Sequence, residues 1–318
     1  MSLIFKGWHF FGIWMFFCIK LNMRKLQKLN EIIEEDKIFH DISLKKYNTF
    51  AVDSKCKYLI TVDNEKKLYK LLTYLDSVGQ KYYILGNGSN VLFLRSHINT
   101  PIIHIKGKDV RFYQRGDEYI VSAYAGVSLG AVVSKCARLG ITGMEWAVGI
   151  PGSVGGAVYM NAGAFGGCMA DVVQKVYCYK KFNKCILDNL ECGFGYRESG
   201  FKDEVITRVI LRLKKGDKVQ IRGEMNKYLQ ARMTRKINGP SAGSVFKNGE
   251  MQAWEIIEEC GLKGLRVNGA KISQEHANVI INTGNATGKD IYKLIAKIEK
   301  IVYKKKDITL IKEIKIFE

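Results

Sequence analysis

Two glycine-rich stretches offer the first chemistry. Gly86-Asn87-Gly88-Ser89-Asn90 follows directly on a short apolar run. Paired glycines let a backbone approach a ligand closely and present successive N–H groups, a concavity that binds pyrophosphate. The stretch is not the G-x-G-x-x-G dinucleotide fingerprint, because Val91 stands where the third glycine belongs. A tight hairpin turn would use the same residues. The second stretch, Gly149-Ile150-Pro151-Gly152-Ser153-Val154-Gly155-Gly156-Ala157, runs on to Asn161-Ala162-Gly163-Ala164. So many glycines suit a backbone lying against a ligand, or a loop packed on a sheet. Two such loops on one strand-rich unit point to a dinucleotide.

Three polar segments add reactive groups. Gly195-Tyr196-Arg197 carries a permanently charged guanidinium. Ser241-Ala242-Gly243-Ser244-Val245-Phe246-Lys247-Asn248 places Ser244 in a glycine loop. No G-x-S-x-G elbow surrounds it, which argues against an α/β-hydrolase and leaves an ordinary turn serine as the plain reading. Glu313 falls in a closing segment whose period-2 alternation puts Ile308, Leu310, Ile314 and Ile316 on one face. Glu313 shares the other face with Lys315, its plain partner. The histidines His9, His40, His97, His104 and His276 have no metal-ligand spacing, so no metal site is expected.

The elements that must position these groups follow from pattern. Lys57–Val62 and Tyr82–Leu85 predict strands flanking a helix over Glu65–Val78, which Gly79 ends. Short strands are expected between Ile102 and Ala125, and a helix over Ser128–Leu139 with Ser128 as its cap and Gly140 as its stop. Gly143–Gly167 reads as tightly folded loop, and Val172–Leu213 as largely strand, interrupted at Gly193–Gly200. Beyond Gly216 the composition shifts. Helices are expected over Gln220–Met233, Ala253–Cys260 and Lys289–Tyr303, the last capped by Thr287 with Asp290 three residues on. Ile308–Phe317 reads as a final strand.

The chain has 318 residues, with 50 Lys and Arg against 31 Asp and Glu, a net charge of +19. At about 100–200 residues per domain this is two or three domains. With 47% hydrophobic residues, collagen, disorder and a disulfide scaffold are excluded. The excess charge suits an anionic partner, although a general lysine bias produces the same number. The eight cysteines (Cys18, Cys56, Cys136, Cys168, Cys178, Cys185, Cys192 and Cys260) show no C-x-x-C pair and fit a reducing compartment. The apolar run Phe10–Ile19 is too short for an ordinary membrane span. We expect residues 1–22 to lie outside the working fold, with Met23 as a natural start before a polar helical segment over Arg24–Lys37.

As an ordered set, GNGSN, GIPGSVGGAVYMNAGA, FGYR, SAGSVFKN, GLKG, GAKISQEHANVIIN and a terminal E-I-K resemble the UDP-N-acetylenolpyruvoylglucosamine reductases (MurB), over roughly Tyr47–Phe317. The lack of a long insertion after Asn248 is similar to the shorter-loop subtype. The resemblance implies an α+β fold: a vanillyl-alcohol-oxidase/PCMH-type FAD-binding domain of two subdomains, at about 23–95 and 96–215, then a substrate domain at 216–318. It implies NADPH-dependent, FAD-mediated reduction of the enolpyruvyl group of UDP-N-acetylglucosamine enolpyruvate to UDP-N-acetylmuramate. FAD, held non-covalently, would lie on Gly86, Asn87, Gly88, Ser89, Asn90, Gly149, Ile150, Pro151, Gly152, Ser153, Gly155, Gly156 and Asn161. Arg197, Ser244 and Glu313 would be catalytic, with Ser244 as proton donor. Tyr196, Lys247 and Asn248 would hold the UDP-sugar. The pyrophosphates of these ligands account for the charge without nucleic acid. A cytoplasmic monomer with no membrane partner is expected.

The sequence departs from the resemblance at Asp53-Ser54-Lys55-Cys56, where a Gly-Gly-Pro-Ala-like turn is usual, and at Gly249, where Pro is usual. Two rivals remain: another FAD oxidoreductase of this flavin fold, with His104 or Cys168 as a covalent flavin anchor, and a non-catalytic nucleotide-binding protein.

Overall fold

The computed structural model describes residues 28–234 and 237–318. The expectations for residues 1–22 and Met23 lie outside the described residues. Of the polar segment ending at Lys37, the described part buries Leu29 and Ile33 and closes with a single 3-10 turn over Glu35–Lys37.

The helix Glu65–Ser77 forms because apolar residues recur on one face, burying Leu68, Leu71, Leu72 and Leu75. Asn64 starts it by accepting the Lys67 N–H at 2.9 Å. Its flanking strands, Lys55–Val62 and Tyr83–Leu85, do not pair with each other. Ile102–Ile105 enters between them and pairs in parallel with both. All four of its residues are buried, as a strand covered on both faces requires.

A second sheet is antiparallel, in the order Asn183–Asp188, Val173–Lys180, Val205–Lys215, Glu118–Tyr124, Val110–Arg115. The helix Leu129–Leu139 buries Leu129, Val132, Val133 and Cys136 on its shared core and stops at Gly140, whose φ of +74° suits a residue without Cβ. Ser128 occupies the cap position, but its side chain makes no cap bond.

The stretch Gly143–Gly167, expected as loop, contains a helix over Val154–Tyr159. Ser153 caps it, accepting the Gly156 N–H at 3.2 Å. Glycine normally disfavours a helix. Here a Cβ on Gly155 would stand 2.8 Å from the Ala125 Cβ, so close packing on the sheet selects glycine and tertiary contact supplies what propensity lacks.

The C-terminal core is built around the helix Gly288–Lys306. Thr287 and Asp290 form its capping box. Ile291, Leu294, Ile295, Ile298 and Val302 are buried on its inner face, each contributing about 1.5–3 kcal/mol. They pack with the short sheet Arg266–Val267, Ala270–Ile272, Ile280–Asn282 and the helix Ala253–Glu259. The helix Lys218–Met233 instead buries Ile221 beside Gly216, and its Met225 and Tyr228 pack against the core shared by the second sheet.

Two expectations need correction. Ile308–Phe317 is not one strand: only Lys315–Phe317 is, paired in parallel with Val91–Phe93. Before it Lys312 bridges to Phe246, so the chain changes partner from the C-terminal unit to the first. The other concerns the cysteines, read as suited to a reducing compartment. Cys178 and Cys185 are joined, because the hairpin register sets them directly opposite one another with 5.1 Å between Cα atoms. Their separation of seven in sequence conceals this.

Candidate active site

One large cavity, of about 1560 Å³, lies where the three units meet. One wall is the two glycine-rich stretches, and they touch. A Cβ on Gly86 would stand 2.4 Å from Ser153 Oγ, and Ser89 Oγ donates to the Pro151 carbonyl at 2.9 Å. Gly88 has a φ of +67°, and a Cβ there would stand 1.9 Å from the Tyr47 carbonyl oxygen. Thr49 N–H donates to the Gly88 carbonyl at 3.0 Å, so the Tyr47-Asn48-Thr49-Phe50 segment backs the first loop. Gly86, Asn87, Gly88, Ser89, Asn90, Ile150, Pro151, Gly152, Ser153, Gly155 and Gly156 all line the cavity.

These walls fit FAD: two loops meeting backbone to backbone, with a Cβ shut out at Gly86, Gly88 and Gly155, in a cavity larger than the roughly 300–1,000 Å³ of a single small-ligand pocket. A dinucleotide and a second nucleotide can share it.

Gly149 and Asn161 do not line the cavity. Gly149 packs under Arg232, and its φ of +76° turns the chain into the loop. Asn161 is buried; its Nδ2 donates to the Gly195 carbonyl at 2.9 Å and its Oδ1 accepts the Ala170 N–H at 2.9 Å. It therefore ties the glycine-rich segment to the turn that carries Arg197. That turn is tight, with Gly195 and Glu198 exchanging backbone hydrogen bonds of 3.0 and 3.3 Å. Arg197 sits in it at a φ of +57°, a left-handed conformation that costs a non-glycine residue about 1–2 kcal/mol. Such strain persists where surrounding contacts over-determine it, and it concentrates at functional sites.

Arg197, Ser244, Glu313, Tyr196 and Asn248 all line the cavity, and the Glu313 N–H donates to the Val245 carbonyl at 2.8 Å, which sets the Ser244 segment beside Glu313. Arg197 Nε lies 3.7 Å from Glu313 Oε1, so Glu313 pairs with Arg197 rather than Lys315. The Lys315 Nζ lies instead over the Tyr159 ring. Glu313 is pulled two ways. Burial raises its pKa above the usual carboxyl value, while Arg197, Lys247 and Lys315 oppose the rise; burial prevails. The Arg197 guanidinium also lies 5.2 Å from the centre of the Tyr196 ring. Lys247 does not line the cavity; its Nζ donates to Glu198 Oε2 at 2.6 Å. Asn248 lines it while its Oδ1 accepts the Ala253 N–H at 3.1 Å.

Three asparagines, Asn90 of the first glycine-rich stretch and Asn278 and Asn282 of the GAKISQEHANVIIN segment, hold this end together through backbone bonds. Asn278, buried, accepts the Phe246 N–H at 2.9 Å and donates to the Phe246 carbonyl at 2.8 Å, fixing the Ser244 loop. Asn90 Nδ2 donates to the Glu313 carbonyl at 3.1 Å. Asn282 Nδ2 donates to the Phe50 carbonyl at 2.9 Å, joining the C-terminal unit to the segment behind the first glycine loop. The residues Asp53–Cys56 do not line the cavity. Their backbone is anchored by the Leu44 N–H to the Ser54 carbonyl at 2.7 Å and the Lys55 N–H to the Ser96 carbonyl at 2.8 Å. Neither His104 nor Cys168 lines the cavity. His104 is buried beside Thr61 and Tyr47, and burial lowers its pKa to about 4.

Comparison with known proteins agrees with this geometry. Residues 234–317 match the model of the UDP-N-acetylenolpyruvoylglucosamine reductase C-terminal domain, and residues 56–181 match an FAD binding domain. The UDP-N-acetylenolpyruvoylglucosamine reductase of Caldanaerobacter subterraneus subsp. tengcongensis is 36% identical over 296 residues, covering 92% of this chain and 97% of that protein. The chain belongs to the UDP-N-acetylenolpyruvoylglucosamine reductase family.

Another reductase of the family, from Caldicellulosiruptor bescii, is 38% identical over 282 residues, 86% of this chain and 88% of its own. The crystal structure of the Thermus caldophilus reductase (MurB) superposes with a TM-score of 0.75 at 34% identity, covering 87% of this chain and 98% of that one. The fold is accordingly α+β, an FAD-binding domain followed by the reductase C-terminal domain. FAD is the cofactor, and NADPH is the family's reductant. Both glycine-rich loops fall within the FAD-domain match, Ser244 and Glu313 within the C-terminal one, and Arg197 between the two. Among the described residues no His, Cys, Asp and Glu cluster could hold a metal, and no helix is long and apolar enough to cross a membrane.

Proposed function

We propose that this chain reduces the enolpyruvyl group of UDP-N-acetylglucosamine enolpyruvate to give UDP-N-acetylmuramate, a peptidoglycan precursor, with Arg197, Ser244 and Glu313 as its catalytic groups. The observation that carries the reading is that these three residues, from three distant segments, line one cavity walled by glycine loops, with Arg197 paired to Glu313 and the Glu313 backbone bonded next to Ser244. Bound there, FAD supplies hydride acceptance from NADPH and hydride donation to the sugar nucleotide.

A substrate that receives hydride on its methylene carbon builds negative charge on the adjacent carbon and its carboxylate. Arg197 meets that charge with a fixed cation, held by its strained turn and so ready before the reaction. Ser244 holds the proton for the adjacent carbon. A hydroxyl is a weak acid, and it serves here because its acceptor is strongly basic. Glu313, with its raised pKa, keeps a proton more readily than an exposed carboxyl and can donate a hydrogen bond to the substrate carboxylate. Tyr196 and Asn248 orient the sugar nucleotide. Lys247, paired with Glu198 just outside the cavity, draws in phosphate charge. We place the FAD-binding part at 23–215 and the substrate part at 216–318. The protein is expected to act as a cytoplasmic monomer.

An anaerobic visible spectrum tests the reading. The FAD-loaded protein should bleach with NADPH and, after removal of excess reductant, regain its colour on adding the enolpyruvyl sugar nucleotide. Bleaching without recovery would overturn the substrate assignment, and failure to take up FAD would overturn the cavity assignment.

A further inference from the structure

The hairpin between the strands Val173–Lys180 and Asn183–Asp188 turns at Lys181 and Phe182, and both residues line the cavity. Their types do not suit the turn. Lys181 has a φ of +41° and Phe182 a φ of +70°. A two-residue hairpin turn with both residues left-handed normally carries Asn-Gly or a similar pair. Lysine and phenylalanine meet a steric penalty there that glycine escapes. The Phe182 ring recovers little of it by burial, because the residue is 58% exposed, so a ligand can reach it. Strain of this kind collects at ligand clamps.

The turn is nonetheless fixed in place. The Phe182 N–H donates to Tyr179 Oη at 3.0 Å, and the buried Tyr179 donates to Asp76 Oδ2 at 2.8 Å. Tyr82 donates to the other oxygen of Asp76 at 3.3 Å. Asp76 thus ties the hairpin turn to Tyr82, and Asp76, Gly79, Gln80, Lys81 and Tyr82 line the cavity as well.

The order of the walls indicates which part of a ligand reaches this place. Along the first wall Glu313 is bonded to Asn90, the last residue of the glycine loop. Residues 79–82 lie before that loop, separated from it by the strand Tyr83–Leu85. Along the second wall the Gly155 N–H donates to the Ala125 carbonyl at 2.8 Å, and the Ala125 N–H to the Thr207 carbonyl at 2.9 Å. From Thr207 the strand Val205–Lys215 runs back through Ile206 to Val205, both lining the cavity, and Val205 is the register partner of Tyr179. The glycine loops therefore stand between Glu313 and the hairpin turn. FAD has one pyrophosphate, between its flavin half and its adenosine. With the flavin beside Arg197 and Glu313 and the pyrophosphate on the glycine loops, the adenosine extends to the hairpin turn. Adenine is uncharged at neutral pH and offers flat aromatic faces, which an exposed phenyl ring can cover by stacking.

We propose that Phe182 stacks on the adenine of bound FAD, presented to it by the left-handed turn. The proposal rests on the FAD reading above. It adds a cofactor-gripping side chain that lies one residue beyond the matched FAD-domain residues.

The test is the binding of FAD, and of FMN, which lacks the adenosine, to the flavin-free full chain as parent, Phe182→Gly and Phe182→Tyr. Glycine suits a φ of +70°, so Phe182→Gly should unfold no more readily than the parent. Its dissociation constant for FAD should nonetheless rise about tenfold, the order found for a base stacked on an aromatic ring. Its dissociation constant for FMN should match the parent's. Phe182→Tyr, which keeps a ring, should hold FAD as the parent does. Phe182→Asn, also suited to a left-handed turn, covers the case in which the glycine variant does not fold. Unchanged FAD affinity in a folded Phe182→Gly would overturn the proposal. So would equal weakening of FAD and FMN, which marks a general distortion of the site, or a raised KM for NADPH at unchanged FAD affinity, which marks the reductant's nucleotide as the partner. A parent protein that binds neither flavin would defeat the cofactor reading itself, a result distinct from all of these.

Discussion

The glycine-rich wall of the cavity and its reactive end are held in place by different means. At the wall, backbone meets backbone: Gly88 lies against Tyr47, Gly155 against Ala125, and Gly86 leaves room only for Ser153. Nothing there depends on a charge. At the reactive end the groups are charged or polar, one sits in a left-handed conformation, and the Ser244 and Glu313 segments are held by the amides of Asn278 and Asn90. The wall therefore tolerates no added volume at Gly86, Gly88 or Gly155, whereas the reactive end tolerates changes of volume better than changes of charge or proton.

Three substitutions sharpen this contrast. The largest effect is expected from Gly88→Ala, because the new Cβ would meet a backbone oxygen at 1.9 Å and the φ of +67° adds strain. We expect a loss of about 2–5 kcal/mol in stability together with loss of FAD binding, read by thermal unfolding and by the flavin absorbance. Normal FAD retention would mean the loop is not the tight cradle described. Next, Ser244→Ala should keep FAD and its bleaching by NADPH while reduction of the sugar nucleotide falls by about 10² or more, the usual range for a lost proton donor. Rapid single-turnover recovery of colour in this variant would remove Ser244 from its role.

The smallest effect concerns Glu313→Gln and pH. With a folded pKa above its unfolded value, native Glu313 binds more protons than the unfolded chain in the window between the two. Stability attributable to it is therefore present below the unfolded value and lost as pH rises through the folded one. Glu313→Gln should be more stable than the parent near neutral pH, with the difference closing below about 4.5. A difference that grows on acidification would reverse the assigned direction of the shift.

The contrast also explains what could be read before any coordinates existed. The helix Glu65–Ser77, the capping box at Thr287 and the stop at Gly140 are local, set by residues within a turn or two of each other, and they stand where expected. The glycine loops announced themselves by composition. The departures arose where distant contacts override local preference. The helix Val154–Tyr159 forms through glycines because it must nest on Ala125. The last strand is cut short because the chain changes partner at Lys312. Cys178 and Cys185 meet through a register that their spacing does not reveal. Asn90 reads as a ligand contact and Asn278 only as part of a family motif, and neither reading reveals the distant backbone groups they bond.

Residue type and order decide the family, and through it the cofactor and the reaction, because the motifs are specific as an ordered set although each alone also has a plain structural reading. Three-dimensional packing alone decides that Arg197 pairs with Glu313 across more than a hundred residues and that burial outweighs three cations in setting the Glu313 pKa. Each of these depends on distance and dielectric, which vary with the fold rather than with position along the chain.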